Sequence, residues 1–191
     1  MFYDAEQDPL CYEGTSVLRN KQGLHHQDDL TDFEFTMLLS RAAEPLPAGN
    51  LDFAHYRAVH HHLFQDVYDW ARELRTIRTG KGGIWFCYPE HIESQSTQLF
   101  HWLSDRHDLV GLDTSEFAKT AAHFVAELNA IHPFREGNGR TQLTFLKLLV
   151  LNAGRTFSDE ALEPDRTLQA MIASFSGDLE PLTALIADII A

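Results

Sequence analysis

The sequence has few cysteines, few basic residues and no long hydrophobic run. Only two of its 191 residues are cysteine, Cys11 and Cys87, and their wide separation excludes a disulfide framework or a CxxC site. Lys and Arg total 15 against 28 Asp and Glu, and the formal charge of −13 argues against direct nucleic-acid binding, because phosphate neutralisation needs a basic face. No segment approaches the ~18 apolar residues of a membrane span, and the acidic N-terminus lacks the order of a secretion signal. These absences predict a soluble, cytoplasmic protein without membrane contact.

The remaining composition suits one folded domain. Hydrophobic residues make up 44% of the chain, while 7 Pro and 11 Gly are too few for a fibrous or disordered protein. The sequence contains no repeat of fixed period and no low-complexity tract. We therefore expect a single domain over residues 1–191, with a peripheral N-terminal segment over residues 1–27.

Apolar residues recur at helical spacing along most of the chain. The clearest run predicts a long helix over residues 53–74, after a start signal at Asn50 and Asp52. The period is lost in residues 77–88, where two short β-prone runs surround a glycine-rich turn. The predicted fold class is all-α, with one short β-hairpin.

An interhelical loop, residues 132–140 (HPFREGNGR), combines glycines with charged groups. Gly137 and Gly139 allow the backbone to turn with its N–H groups facing one side, and a helix follows at once. Backbone amides at a helix start form an anion site, and the Arg140 guanidinium suits two phosphate oxygens.

The same loop carries a base and a metal ligand. His132, at its entrance, is the group in the loop that can take a proton near neutral pH. Glu136 offers a hard oxygen for Mg²⁺ carrying the same phosphates. This set predicts phosphoryl or nucleotidyl transfer, and the alternative is a helix–turn–helix with a charged corner.

The string HPFREGNGR resembles the core signature of the Fic (filamentation induced by cAMP) family, His-x-Phe-x-Asp/Glu-Gly-Asn-Gly-Arg-x-x-Arg. Two further segments, HHLFQDVYDWARELRTIRTGKGG and GDLEPLTALI, also resemble the family, so the likeness extends roughly from Tyr12 to the C-terminus. The resemblance is to short bacterial Fic toxins. It implies an all-α Fic fold and an Mg²⁺-dependent enzyme that transfers AMP from ATP to a hydroxyl side chain of a target protein.

The resemblance also implies a role for each residue of the motif. His132 would deprotonate the target hydroxyl, Phe134 would anchor the loop, and Glu136 would bind Mg²⁺. The residues implied to bind the nucleotide phosphates are Gly137, Asn138, Gly139 and Arg140.

The hairpin resembles the family's flap, which clamps the target by strand addition. Lys81 and Gly82 at its turn are placed near the nucleotide by this resemblance. The side chains implied to dock the target are Ile84, Trp85 and Phe86. For Trp85 and Phe86, ordinary packing within the hairpin is the alternative.

One position departs from the family pattern, because Leu143 stands where the second arginine is expected. That arginine grips the γ-phosphate in the family. The alternatives to adenylyl transfer are therefore an altered phosphoryl transferase, or an impaired domain that acts as a binding module. The related phosphotransferase pattern carries Lys where this chain has Gly139. The Leu143 side chain itself is expected to pack with Leu146 and Val150 on an apolar helix face.

The expected partners also follow from the resemblance. Family members are silenced by a helix carrying Ser/Thr-x-x-x-Glu-Gly/Asn, and residues 176–180 have only the spacing, with Pro181 following. The sequence therefore favours a toxin whose antitoxin is a separate small protein. The targets of short bacterial relatives are DNA gyrase and topoisomerase IV, which makes their subunits the expected recipients.

Two histidine patterns invite a metal interpretation. His60, His61 and His62 are consecutive, so on a helix they point ~100° apart and cannot share one ion; a half-exposed helix face is expected instead. His123 and Glu127 have the spacing of a ligand pair, but their helix is expected to pack in the core.

Overall fold

Local sequence signals set where several helices of this chain begin. Asp52 accepts a hydrogen bond from the His55 N–H (2.7 Å), and the Asp113 carboxylate accepts one from the Glu116 N–H (2.9 Å). Each carboxylate therefore caps a helix N-terminus. Three other helices have proline in their first turn, where its missing N–H costs no hydrogen bond.

The computed structural model describes residues 4–5, 8–81 and 83–190. Within them the chain forms seven α-helices and three short strands. The helices are α1 (Gln27–Ala42), α2 (Phe53–Phe64), α3 (Pro89–Ser104), α4 (Thr114–Ile131), α5 (Asn138–Asn152), α6 (Pro164–Phe175) and α7 (Glu180–Ile189). The strands are β1 (Asp4–Ala5), β2 (Thr79–Lys81) and β3 (Ile84–Trp85). The predicted helical fold class with one hairpin is confirmed, and no helix in the described part of the chain is long and apolar enough to cross a membrane.

Helix α4 lies at the centre of the fold. Ten of its 18 residues are buried, and it packs against α3, α5, α6 and α7. A helix that is apolar on most of its surface has to be covered on several sides. The end of α4 is therefore held rigidly, and the loop 132–140 starts from that end.

An aromatic cluster joins this loop to the helices. Its members are Tyr56, Phe100, Phe124, Phe134 and Phe145. Neighbouring rings have centroids 5.3 to 5.6 Å apart, the range in which aromatic pairs are favourable. Phe134 is the member that belongs to the loop, so the loop has a fully buried anchor in the core.

The flap is part of a small antiparallel sheet with the order β1-β2-β3. The predicted hairpin corresponds to β2 and β3, in which Gly80 faces Trp85 and Lys81 faces Ile84. The N-terminal strand β1 adds to the other edge of β2, which the sequence did not suggest. Among the described residues, the outer edge of β3 has no strand partner.

Residues 8–26, which belong to the segment expected at the periphery, contribute to the core. Cys11, Val17 and Leu18 are buried there. The Asp8 carboxylate forms a buried ion pair with Arg135, inside the loop 132–140. Removing one partner of a buried pair leaves an uncompensated charge, so this contact ties the N-terminal segment to the loop.

The predicted long helix over residues 53–74 is wrong at its C-terminal end. Helix α2 stops at Phe64, and the chain then makes turns up to Arg72, which has a positive φ of 79°. The Arg72 N–H donates a hydrogen bond to Nδ1 of His60 (2.8 Å). The apolar residues Val67 and Ala71 are buried within these turns. The helix-like spacing of these apolar residues therefore comes from their burial, although the helix itself does not continue through them.

Candidate active site

His132 ends α4 in a strained backbone conformation. It is the C-cap residue, with φ 50° and ψ 63°, a left-handed conformation that is uncommon for a residue with a side chain. Its ring stacks on Phe86 of the flap, with centroids 3.7 Å apart and planes 6° from parallel. The stacking and the turn together hold the imidazole in one orientation.

Burial makes His132 neutral at physiological pH. Desolvation lowers its pKa to about 3, with Arg75 and Lys81 acting in the same direction and the hydrogen bond to the Asn129 carbonyl opposing them. The Asn129 oxygen lies 3.3 Å from Nδ1 and can only accept, so Nδ1 carries the ring proton. The lone pair of this neutral imidazole is therefore on Nε2, the nitrogen that can accept a proton.

Arg75, which sequence reasoning missed, joins His132 to the flap. Its Nε donates to the His132 carbonyl (2.7 Å), and its Nη1 and Nη2 donate to three further carbonyls. The acceptors are Ile77 (2.8 Å), Cys87 (2.5 Å) and Ile131 (3.1 Å). One buried guanidinium thereby provides hydrogen-bond donors for the carbonyls at the end of α4 and at both ends of the flap segment. No spacing rule pointed to Arg75, because its partners are backbone carbonyls and three of the four are at least 12 residues away in the chain.

The Asn138 side chain closes the loop on itself. Its Oδ1 accepts from the Phe134 N–H (2.9 Å), and its Nδ2 donates to the Phe134 carbonyl (2.7 Å). Asn138 was expected among the phosphate-binding residues. Because its side chain is hydrogen-bonded within the loop, Asn138 presents its backbone N–H at the start of α5.

The two glycines of the motif differ in their surroundings. Gly137 has a positive φ of 80°, and a Cβ there would lie 2.3 Å from the Phe64 ring. Gly139 is exposed, and a Cβ there would meet nothing within 4 Å. Gly137 is therefore required by the fold of the loop. Gly139 instead leaves the first turn of α5 open, beside backbone N–H groups that have no intrahelical acceptor.

Arg140 is held between two carboxylates. Its Nη1 donates to Glu34 of α1 (2.6 Å), and its Nη2 donates to Glu136 (3.3 Å). Its guanidinium carbon lies 4.6 Å from the centre of the Phe64 ring. Glu34 also accepts from the Tyr68 hydroxyl (2.7 Å), so it positions the arginine from outside the motif. A lone Glu on an otherwise ordinary helix provided no sequence signal for this role.

Glu136 offers one oxygen to a cation. Among the described residues, the hydrogen bonds to its carboxylate, from the Gly137 N–H (2.9 Å) and from Arg140, both go to Oε1. Its Oε2 is the oxygen left for a metal. Mg²⁺ is commonly held by one or two carboxylates together with substrate phosphates and water, so this single carboxylate fits such an ion.

His60 of α2 packs against the loop 132–140. It is fully buried and stacks on Phe134, with ring centroids 3.8 Å apart. Since Nδ1 accepts from the Arg72 N–H, Nε2 carries the proton and donates to the Glu136 carbonyl (3.0 Å). The expectation of a half-exposed face is wrong for this histidine, because both of its nitrogens bind backbone. In the described part of the chain, no three His, Cys, Asp or Glu side chains are grouped to hold a metal.

A cavity of about 610 Å³ is lined by His132, Gly139 and Arg140. Lys81 of the flap also lines it, while Gly82 lies outside the described residues. Its apolar wall is formed by Leu143 and by Leu168, Met171, Ile172 and Phe175 of α6. Leu143 is half-buried and faces this cavity, whereas Leu146 and Val150 belong to the core, so the expected packing of Leu143 with them is wrong.

The three flap residues expected to dock a target face different ways. Ile84 and Trp85 are 40% and 45% exposed, whereas Phe86 is only 7% exposed because it covers His132. Arg78 stacks over Trp85 and Tyr88, with its guanidinium carbon 4.9 and 3.9 Å from the two ring centres. The flap therefore presents an exposed aromatic and cationic surface next to the cavity.

A family model and a curated protein both match this sequence. A family model described as Fic/DOC family matches residues 50–150. The chain is 58% identical to a Sinorhizobium fredii protein named "Probable protein adenylyltransferase y4lH" over 183 residues, which cover 95% of both chains.

Two solved structures share the fold. The BepC protein of Bartonella tribocorum, with bound AMPPNP, is 29% identical with a TM-score of 0.85 over 95% of this chain and 96% of that chain. The N-terminal Fic domain of a Bep effector protein of Bartonella quintana, with bound ADP, is 29% identical with a TM-score of 0.87 over 95% and 94%. These likenesses confirm the expected fold class.

The two glycines provide a first test. We expect Gly137→Ala to lower the free energy of unfolding by at least about 2 kcal/mol, since the left-handed conformation and the clash with Phe64 both act on it. Gly139→Ala is the matched control and should change that free energy by less than about 1 kcal/mol. Urea unfolding of both variants measures the difference. Equal losses would contradict the different surroundings of the two positions.

The neutral histidines predict a loss of stability in acid. Burial lowers the pKa of both His60 and His132 to about 3, from an ordinary 6.5. Below pH 6.5 the unfolded chain takes up protons that the folded chain excludes. The free energy of unfolding should therefore be level above pH 7 and fall by up to ~1.4 kcal/mol per pH unit for each histidine as the pH decreases towards 3.

Urea unfolding between pH 7.5 and 5 checks this slope. His60→Asn should be less stable at pH 7.5 and show a shallower slope. The exposed His91→Asn is the control and should keep the wild-type slope. A His60→Asn slope as steep as the parent's would show that His60 does not carry the effect.

Proposed function

This chain belongs to the Fic/DOC family, and on that basis we propose that it is a protein adenylyltransferase that transfers AMP from ATP to a hydroxyl group of a target protein. The observation that carries the proposal is the shared position of three groups. The neutral His132, the open helix start at Gly139 and the Arg140 guanidinium all line a single, largely apolar cavity.

The cavity supports binding of a nucleotide with its base among the apolar side chains. Its volume of about 610 Å³ is within the range of small-molecule sites. The phosphates would then lie at the start of α5, against the N–H groups of residues 138–140. Arg140 uses two hydrogen bonds on its carboxylate partners, and a guanidinium has five N–H donors, so donors remain for phosphate oxygens. Glu136 would hold Mg²⁺ through Oε2, and that ion would offset phosphate charge.

The proposed reaction needs one proton acceptor. Nε2 of His132 takes the proton of the target hydroxyl while the hydroxyl oxygen forms a bond to the α-phosphorus. The bond from that phosphorus to the oxygen bridging to the β-phosphate breaks, and pyrophosphate leaves towards Arg140. Phe86 and Arg75 keep the imidazole oriented. Since such transfers depend mainly on positioning and charge, rigid support of this kind is the main contribution of the protein.

The target is proposed to add as a strand to β3. Its outer edge is open among the described residues, whereas β1 occupies the far edge of β2. The exposed Ile84 and Trp85 lie on this strand, and Phe86 next to them contacts His132. A bound strand would therefore bring a hydroxyl side chain close to the proton acceptor.

The biological role that we propose is that of a cytoplasmic toxin restrained by a separate antitoxin. DNA gyrase and topoisomerase IV subunits are the proposed recipients, on the family resemblance. The net charge of −13 supports a protein partner over a nucleic acid.

Labelling with ATP tests the activity. With Mg²⁺ and α-labelled ATP, the protein should label itself or a lysate protein, and His132→Ala should lose at least ~100-fold of the rate, since general base catalysis contributes about that much. His91→Ala, on the surface, is the control. Mass spectrometry of the labelled lysate should identify an AMP-modified hydroxyl.

Two outcomes would oppose the proposal. Equal labelling by folded His132→Ala would exclude the assigned base. Labelling from γ-labelled ATP only would favour the kinase-like alternative, which Gly139 argues against because the related phosphotransferase pattern has Lys there.

Leu143 predicts a gain of activity on substitution. A charged hydrogen bond contributes roughly 1.5–3 kcal/mol, so Leu143→Arg should raise α-labelling by about tenfold or more if it grips the γ-phosphate. Leu143→Met is the uncharged control and should behave like the parent. If Leu143→Arg also behaves like the parent, the missing arginine does not limit the enzyme.

A further inference from the structure

One side chain at the wall of the nucleotide cavity has no hydrogen-bond partner. Gln142 of α5 lines this cavity and is only 1% exposed. Within the part of the chain that the structure describes, neither its Oε1 nor its Nε2 makes a hydrogen bond. A buried amide with both ends unsatisfied costs folding free energy, and native structures contain few of them. Such a group therefore calls for an explanation.

A second unsatisfied group lines the same cavity from α6. Thr167 is buried, and its Oγ1 has no hydrogen-bond partner among the described residues. The cavity that both residues line also has apolar side chains of α6, among them Leu168 and Met171, and the Asn129 amide, which donates to the Met171 carbonyl (3.2 Å). In the part of the chain that the structure describes, α5 and α6 thus each supply a buried polar side chain without a hydrogen-bond partner to the same largely apolar cavity. Neither group is used by the reaction proposed above.

The position of Gln142 along α5 places it beyond the phosphate end. It follows the open Gly139 by three residues, so both lie on the same helix face, about one turn apart. If the phosphates lie at the start of α5, the base of the nucleotide lies further into the cavity, on the helix face that carries Gln142. The apolar wall there suits a flat aromatic base.

The chemistry of an amide selects among bases. The side-chain amide of Gln142 has a hydrogen-bond acceptor, its oxygen, next to a donor, its nitrogen. Adenine presents a matching pair on one edge, the 6-amino donor and the N7 acceptor, whereas guanine presents two acceptors, O6 and N7. Where it meets this edge, an amide that is otherwise unpaired can satisfy both of its ends on adenine and only one on guanine.

We propose that Gln142 is the base-reading residue of this enzyme, pairing with the 6-amino group and N7 of adenine, with the Thr167 hydroxyl as a second polar contact of the same base. The inference rests on the proposed function, and it adds the base specificity of the donor nucleotide. Gln142 determines specificity and takes no part in proton transfer.

Direct binding of AMPPNP and GMPPNP, measured by isothermal titration calorimetry, tests the proposal without any catalytic step. The parent should bind AMPPNP about 10- to 100-fold more tightly than GMPPNP, the discrimination expected of a bidentate amide–base pair. Gln142→Leu should weaken AMPPNP binding and bring the ratio of the two dissociation constants close to one. Thr167→Val, of the same shape, should weaken AMPPNP binding by several-fold. The exposed Gln98→Leu is the matched control and should retain the parent's ratio.

A second readout needs no nucleotide. Since Gln142→Leu removes two unpaired buried polar atoms, the melting temperature of the nucleotide-free protein should stay level or rise, while adenine selectivity falls. If Gln142 were needed only for packing, Gln142→Leu would lower the melting temperature of the protein instead. Gln142→Met keeps an unbranched side chain and serves as a second variant if leucine disturbs the helix.

The outcomes separate this inference from the proposed function. If folded Gln142→Leu or Gln142→Met keeps the parent's preference for AMPPNP, Gln142 does not read the base and the adenylyltransferase proposal stands. If the parent binds AMPPNP and GMPPNP equally, the base-reading role is likewise overturned. If the parent binds neither nucleotide, the proposed function itself fails, and this inference with it.

Discussion

The guanidinium of Arg75 holds the two halves of the candidate active site together. It donates to the carbonyls of Ile131 and His132 at the end of α4, and to those of Ile77 and Cys87 at the two ends of the flap. These carbonyls are where a helix stops and a hairpin begins, so they lack the partners that regular structure provides. Because Arg75 is buried, no water can replace it cheaply. The position of His132 relative to the flap therefore depends on this side chain together with the stacking of Phe86 on His132.

The site also relies on histidines that stay neutral through burial. His132 stacks on Phe86, and His60 stacks on Phe134, with ring centroids less than 4 Å apart in both pairs. In His60 the neutral form is needed because one nitrogen accepts a backbone hydrogen bond while the other is placed to donate one. In His132 it leaves Nε2 unprotonated, because Nδ1 carries the ring proton. The same physical device thus serves loop support in one residue and proton transfer, as proposed, in the other.

Sequence reasoning located the loop and the hairpin but assigned some side chains to the wrong surroundings. The motif 132–140 and the hairpin lie where expected, since glycine placement and loss of helical period are local signals. For Phe86 the pattern leaves target docking and packing within the hairpin open, and in the structure this side chain is buried against His132. The helix over residues 53–74 was extended too far, because buried residues in turns can mimic helical spacing. Glu34, Arg75 and Gln142 carried no local signal at all.

By itself, the sequence determined the fold class, the polar loop between two helices and the residue types available for chemistry. These depend on periodicity, on helix start signals and on the conformational freedom of glycine, all of which act over a few residues. The tertiary structure alone decided that Glu34 meets Arg140, that Asp8 meets Arg135 and that Leu143 faces the cavity. These contacts join residues far apart in the chain or depend on which face of a helix is covered. They form only when the helices pack and water is excluded, so no local pattern can encode them.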